Sequence, residues 1–214
     1  MIKDFQTFVI HYSKLTERKQ KLEMRLNEIG LDYLFVSDID RDKLSPEQQS
    51  KFVGNLKNSY KANFLSHIKC YELILNSASN LGLVLEDDSI PNENFLKMLK
   101  KYQKISPEDF DLFFVSPGKN NFHIPLYLRR PFKYVYEKGP EQTNWGGHGG
   151  SRNADAYFIS ERCAEILVSK FSEKSFETDT TIDWWLNELI MKNNLKVFWA
   201  EPTIVSTNHF ESSF

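Results

Sequence analysis

The chain has 214 residues, of which 41% are hydrophobic, 26% charged and 14% aromatic, and its formal net charge is −2. That length suits a single domain able to bury roughly 70% of the unfolded chain's surface in one core. No basic block stands out, which argues against a nucleic-acid surface, and two cysteines, Cys70 and Cys163, are too few for a disulfide framework or a cysteine-rich metal site.

Residues 5–10 (FQTFVI) read as a first strand ending at His11. Residues 16–29 read as a helix, with Leu22, Leu26 and Ile29 at helical spacing and Gly30 as its stop. A second strand over 33–36 closes on Ser37-Asp38, so the opening is a β-α-β unit with a parallel pair and a right-handed crossover. Ser45-Pro46-Glu47-Gln48 is a helix start, with serine as the cap and proline in the first position. A long helix over 59–78 carries one apolar stripe through Tyr60, Phe64, Ile68, Tyr71, Ile74, Leu75 and Ala78. Gly82-Leu83-Val84-Leu85 is a short apolar strand of the kind buried on both faces of a parallel sheet, and it runs straight into Glu86-Asp87-Asp88. Pro91 predicts a turn, 94–102 a helix, and 112–115 and 133–136 two strands. Residues 139–152 hold five of the nine glycines together with Trp145 and His148, a stretch long enough to read as functional or disordered. A strand over 156–159, helices over 161–171 and 181–192, and a last strand over 197–200 complete the pattern, with a polar tail from Pro202 expected on the surface. The fold class is α/β, one domain over 1–214 with a Rossmann-like mixed central sheet flanked by helices. Within it two parts are expected, over about 1–116 and about 117–214.

Four constellations carry chemistry. Glu86, Asp87 and Asp88 sit at the carboxyl end of a buried strand, where open α/β sheets bind ligands. Three adjacent acids repel one another unless a cation or donor groups neutralise them, and oxygen ligands select Mg²⁺ or Mn²⁺. A solvated acidic turn is the plain alternative. Lys61 and His67 stand near the amino end of the long helix, where phosphate oxygens are favoured. Surface decoration for Lys61 and a local hydrogen bond for His67 are the alternatives. Asp183, followed by Trp184 and Trp185 at the start of a helix, fits a general base whose pKa is raised by partial burial, with the Trp pair and Leu186 walling a pocket. Asp183 and Asp179 equally fit capping acids. His209 matters only if the tail folds back over the acidic triplet, where an imidazole completes a Mn²⁺ shell.

In order along the chain these motifs resemble glycosyltransferase family 25, which includes bacterial lipopolysaccharide and collagen galactosyltransferases. The resemblance begins at Phe8-Val-Ile-His-Tyr-Ser13 with Glu17-Arg18 and continues through the strand ending at Asp38. It is strongest over Lys61-Ala-Asn-Phe-Leu-Ser-His67 and Leu83-Val-Leu-Glu-Asp-Asp88. Ala156-Tyr-Phe-Ile-Ser160, Ile182-Asp183 and Glu201-Pro202 extend it. The resemblance implies a GT-A fold, a UDP-sugar donor, Mn²⁺ (or Mg²⁺), and the acidic triplet as a DxD-like motif. Carried over, Asp88 is the direct metal ligand, Glu86 meets the ribose or a metal-bound water, and Asp87 is the ambiguous middle position. Asp38 lies near the uridine, while His11, Lys61 and His67 join the donor site and His209 matches a C-terminal metal ligand. It also implies an inverting transfer of galactose or another hexose to a glycan, glycolipid or glycoprotein acceptor, with Asp183 as base and Asp155 as second choice. The Gly-Gly-His-Gly-Gly run at 146–150 departs from the bacterial pattern.

Two other function classes fit parts of the pattern. A Mg²⁺-dependent phosphohydrolase would use the same triplet, but no second acidic cluster follows an apolar strand. A non-catalytic nucleotide-sugar or glycan-binding module would not need both a metal triplet and a base. No apolar run approaches the roughly 20 residues of a membrane span, and Met1 to Phe5 lack a signal-peptide core. A cytoplasmic location is therefore expected, with peripheral membrane contact left open.

Overall fold

The structure is a computed structural model that describes residues 4–117, 129–138 and 153–207. Its opening is the expected β-α-β unit: β1 (Gln6–Ile10), α1 (Thr16–Glu28) and β2 (Leu34–Val36), with β1 and β2 parallel. The short α2 (Pro46–Ser50) starts on a capping box in which the Ser45 hydroxyl accepts from the Gln48 amide and the Gln48 side chain returns to the Ser45 amide. The long α3 (Asn58–Leu75) then leads into β3 (Leu81–Glu86).

The remaining elements are β4 (Ser89–Pro91), α4 (Phe95–Gln103), β5 (Leu112–Phe114), β6 (Val135–Lys138), β7 (Ala156–Ser160), α5 (Glu161–Phe171), α6 (Ile182–Lys192), β8 (Val197–Ala200) and β9 (Val205–Thr207). Seven strands form one sheet in the order β2-β1-β3-β7-β5-β8-β6. β3 is parallel to β1, whereas β7 is inserted antiparallel between β3 and β5, which makes the sheet mixed.

Side-chain alternation gives the sheet two buried faces. Val9, Leu83 and Leu85 point into a cluster with Leu22 and Leu26 of α1 and Phe95 and Leu99 of α4. Phe8, Ile10 and Val84 point the other way, into a cluster with Phe64, Ile68 and Ile74 of α3 and Leu167 of α5. Fully covered strands of this kind carry unbroken apolar runs, which is why β3 was legible. Gly82 lets α3 approach closely, since a Cβ there would lie 2.3 Å from Ile74 Cδ1. Because α3 and β3 run antiparallel, the contact at Gly82 sets His67 beside Glu86 at the far end of the strand.

Three expectations need correction. The segment after the acidic triplet is not only a turn: Ser89–Pro91 pairs antiparallel with Val205–Thr207 as a separate two-stranded sheet. The chain after Pro202 does not simply run over the surface, because Ile204 and Val205 are buried. Trp185 and Leu186 are core, with Trp185 5.0 Å from the Phe64 ring, and only Trp184 of the Trp pair, 47% exposed, faces outward. Residues 139–152 and His209 lie outside the described residues.

Candidate active site

The carboxyl end of β3 is where the acids gather. Glu86 closes the strand, and its amide donates to the Asp155 carbonyl of β7's approach at 2.8 Å. Its carboxylate is held from the α3 side. Asn63 Nδ2 donates to Glu86 Oε1 at 2.9 Å, and His67 Nε2 lies 3.3 Å from the same oxygen. Asn63 and His67 are four residues apart on one helix, so they present side by side. Behind them, His67 Nδ1 is 2.7 Å from the Tyr157 hydroxyl, which is 2.6 Å from that of Tyr71. A neutral imidazole donates from one nitrogen and accepts at the other, so this chain of polar atoms is satisfied in either direction.

Burial governs the protonation of this chain. It pushes the His67 pKa down to about 3, against the opposing charges of Asp183 and Asp155, so the ring is neutral. It pushes Glu86 up to about 8, opposed by the Asn63 hydrogen bond and reinforced by the charges of Asp155, Asp87 and Asp183. His67 has no exposed surface, so its influence on a ligand passes through Glu86.

Asp87 turns to the α1 side. His11 Nδ1 sits 2.8 Å from Asp87 Oδ2, and Arg18 donates to Oδ1 at 3.3 Å. Asp88 is the unsatisfied member: its Oδ1 is buried with no hydrogen-bond partner. Burial raises its pKa to about 7, the charges of Glu86, Asp155 and Asp87 add to the rise, and Arg18 opposes it. Asp87 and Asp88 form part of the floor of a cavity of about 580 Å³ whose wall is Lys14 to Arg18, Lys21 and Leu22 at the start of α1.

Asp155, buried, completes the cluster from the opposite strand. Ser116 donates to its Oδ1 at 2.6 Å and Thr207 to its Oδ2 at 2.8 Å, while Ser89 donates to its carbonyl. Burial still raises its pKa despite these bonds. Asp183, half-buried in the first turn of α6, accepts from the Thr181 hydroxyl. The cap position belongs to Thr181, and neither Asp183 nor the exposed Asp179 caps the helix.

The structure thus brings together His11, His67, Glu86, Asp87, Asp88 and Asp155, with Asp183 within electrostatic reach. It sets Asp38 apart, lining a second cleft of about 320 Å³ with Ile39, Lys51 and Phe171. Lys61 lies over the Phe52 ring, 6.0 Å from its centre. Sequence reasoning passed over Asn63, Arg18, Ser116, Thr207 and Tyr157. Asn63 was findable from its four-residue spacing to His67. Ser116 and Thr207 carried no local signal, because only the fold brings them to Asp155.

A divalent cation fits this donor set through Asp88, whose orphan buried oxygen needs a positive partner. Among the described residues no three His, Cys, Asp or Glu side chains gather into a metal cage.

The sequence profile of glycosyltransferase family 25, described as a lipopolysaccharide biosynthesis protein family, matches residues 5–182. The chain belongs to glycosyltransferase family 25. It is accordingly a transferase, with the GT-A fold. The chain resembles the galactosyltransferase LgtC, solved with donor and acceptor sugar analogues, at 13% identity over 97% of this chain and 88% of that one, TM-score 0.54. It also resembles a glycosyltransferase involved in glycosylation of the major capsid of PBCV-1, at 12% identity over 97% and 94%, TM-score 0.52. A197 from STIV matches at 11% identity over 97% and 86%, TM-score 0.52. These likenesses speak to the fold. No curated protein matches the chain in sequence.

Proposed function

We propose that the chain moves a hexose from a UDP-sugar to a hydroxyl of a glycan, glycolipid or glycoprotein, with inversion, and that Glu86, Asp87 and Asp88 form the donor site. The observation that carries this reading is Asp88 Oδ1, buried and unpartnered among repelling carboxylates at the carboxyl end of β3. A bound Mn²⁺ or Mg²⁺ would supply charge neutralisation for the departing diphosphate.

The chain's own residues do the rest. Asp88 binds the cation, with Glu86 beside it. Lys14, Arg18 and Lys21 line the cavity above Asp87 and Asp88, where the diphosphate belongs. His11 holds Asp87 in place, and Asn63 and His67 fix the orientation of Glu86. Asp183 takes the proton from the acceptor hydroxyl as its oxygen bonds to the sugar's anomeric carbon and the bond to UDP breaks. Asp155 is the second candidate for that role, but two hydroxyl donors already occupy its carboxylate. Asp38 and Lys61 remain proposed donor contacts on the α3 side. His209 remains the proposed C-terminal metal ligand.

The test is thermal unfolding of the wild type and Asp88→Asn with UDP, ADP and GDP, each with Mn²⁺ or EDTA. At a ligand concentration about 100 times Kd the folded state gains about 2.7 kcal/mol. A rise seen with UDP plus Mn²⁺ and lost in Asp88→Asn is the expected result. No rise with any nucleotide would overturn the donor-site reading.

A further inference from the structure

Away from the acids, α4 carries a one-sided set of charges. Lys97, Lys100 and Lys101, with Lys104 at the helix's C-cap, are all exposed. At 3.6 residues per turn they fall within about 100° of arc. The opposite face holds Phe95, Leu99 and Tyr102, all buried. No acidic residue occurs between 94 and 105. Among the described residues none of these four lysines pairs with a carboxylate.

The segment 129–134 (RRPFKY) joins this face, because Lys101 Nζ sits 3.4 Å from the centre of the Tyr134 ring. It also lacks acids. Arg129 is tied to Glu201, while Arg130 and Lys133 are exposed beside Phe132, with Lys133 Nζ 4.7 Å from the centre of the Tyr136 ring. The Lys133 amide closes a turn on the Arg130 carbonyl at 3.2 Å, with Pro131 and Phe132 in the middle. Phe132 has φ 63° and is 89% exposed. The third position of a turn with positive φ favours glycine, so a phenylalanine there is strained. The fold recovers nothing from it, since the ring stands in solvent. Ile105, 48% exposed, follows Lys104.

We infer that the lysine face of α4 and the Phe132 turn form a docking surface for an anionic lipid bilayer. The four lysines supply attraction to acidic headgroups in a chain whose net charge is −2. Phe132, with Ile105, supplies apolar reach into the interface of a bilayer. The inference does not depend on the donor chemistry.

The experiment is co-sedimentation of the full chain with vesicles of phosphatidylcholine alone, or in equal parts with phosphatidylglycerol. It is run at about 0.1 M and about 1 M salt, where screening lengths differ roughly threefold. The protein should bind the mixed vesicles at low salt and neither kind at high salt. Replacing Lys97, Lys100 and Lys104 by Gln should weaken binding about 100-fold, near fivefold per cation. Phe132→Gly should weaken it about tenfold while its melting temperature stays level or rises, because glycine suits the positive φ. That combination separates docking from a folding defect. Equal binding to both vesicle types, or none to either, would overturn the proposal. So would vesicle binding lost in the lysine variant yet unchanged in Phe132→Gly, which would reassign the face to polyanions in general.

Discussion

Acids stand at both ends of the same sheet and live differently. At the amino end, Asp111 is 1% exposed, and every demand it makes is met. Arg162 donates to its Oδ1 and the Lys196 amide to its Oδ2 at 2.8 Å. At the carboxyl end, Asp88 has a buried oxygen with no partner, and Glu86 has its pKa pushed up to about 8. Both ends are acidic and partly or fully buried, so burial of charge alone does not mark a working site. An acid satisfied by its own fold ties elements together, whereas Asp88 keeps a buried oxygen that its own fold leaves without a hydrogen bond.

The largest effect expected from this contrast is kinetic. Asp183→Asn should keep UDP and Mn²⁺ binding and lose about 10² to 10⁴ in transfer rate, the usual worth of a general base. Single-turnover assays with the donor bound would measure it, and near-normal transfer would move the role to Asp155. At the amino end the expected loss is in stability instead. Asp111→Ala strands the Lys196 amide and should cost about 2 kcal/mol, a fall of roughly 4 to 8 °C in melting temperature. Turnover per folded molecule should be unchanged, and a loss of activity there would break the division between the two ends.

The smallest effect is a slope with pH. Carboxyls whose pKa is raised in the folded state bind protons more tightly there than in the unfolded chain. Their contribution to stability is therefore largest near pH 4 and declines as pH rises through about 7 for Asp88 and about 8 for Glu86. Melting temperatures of the ligand-free wild type should fall across that window. Asp88→Asn should flatten the slope and be slightly more stable than wild type above pH 7. An unchanged slope in that variant would mean that Asp88 is not the strained group.

What could be read in advance follows the range of the interactions. The strands β1, β3, β7 and β8 announce themselves by apolar runs, and α2 by its capping box. The triplet was visible because it directly follows such a run. β4 and β9 were invisible: each has three residues, and their pairing joins Ser89 to Thr207. The support of Asp155 was hidden for a related reason. Its partners Ser116 and Thr207 meet it only once β7 is inserted between β3 and β5. His67 was picked out by its neighbourhood, but its complete burial depends on Tyr157, ninety positions away.

The pairing of β4 with β9 also bears on how the enzyme comes into being. A chain emerging from the ribosome can order β1, α1, α3 and β3 early, since these are neighbours in sequence. The carboxylate of Asp155 is not fully clasped until Thr207 arrives, 52 residues later. Before that point Ser89–Pro91, directly after the acidic triplet, has no strand to pair with. Synthesis thus leaves the pairing of β4 with β9 until after β8 has been made.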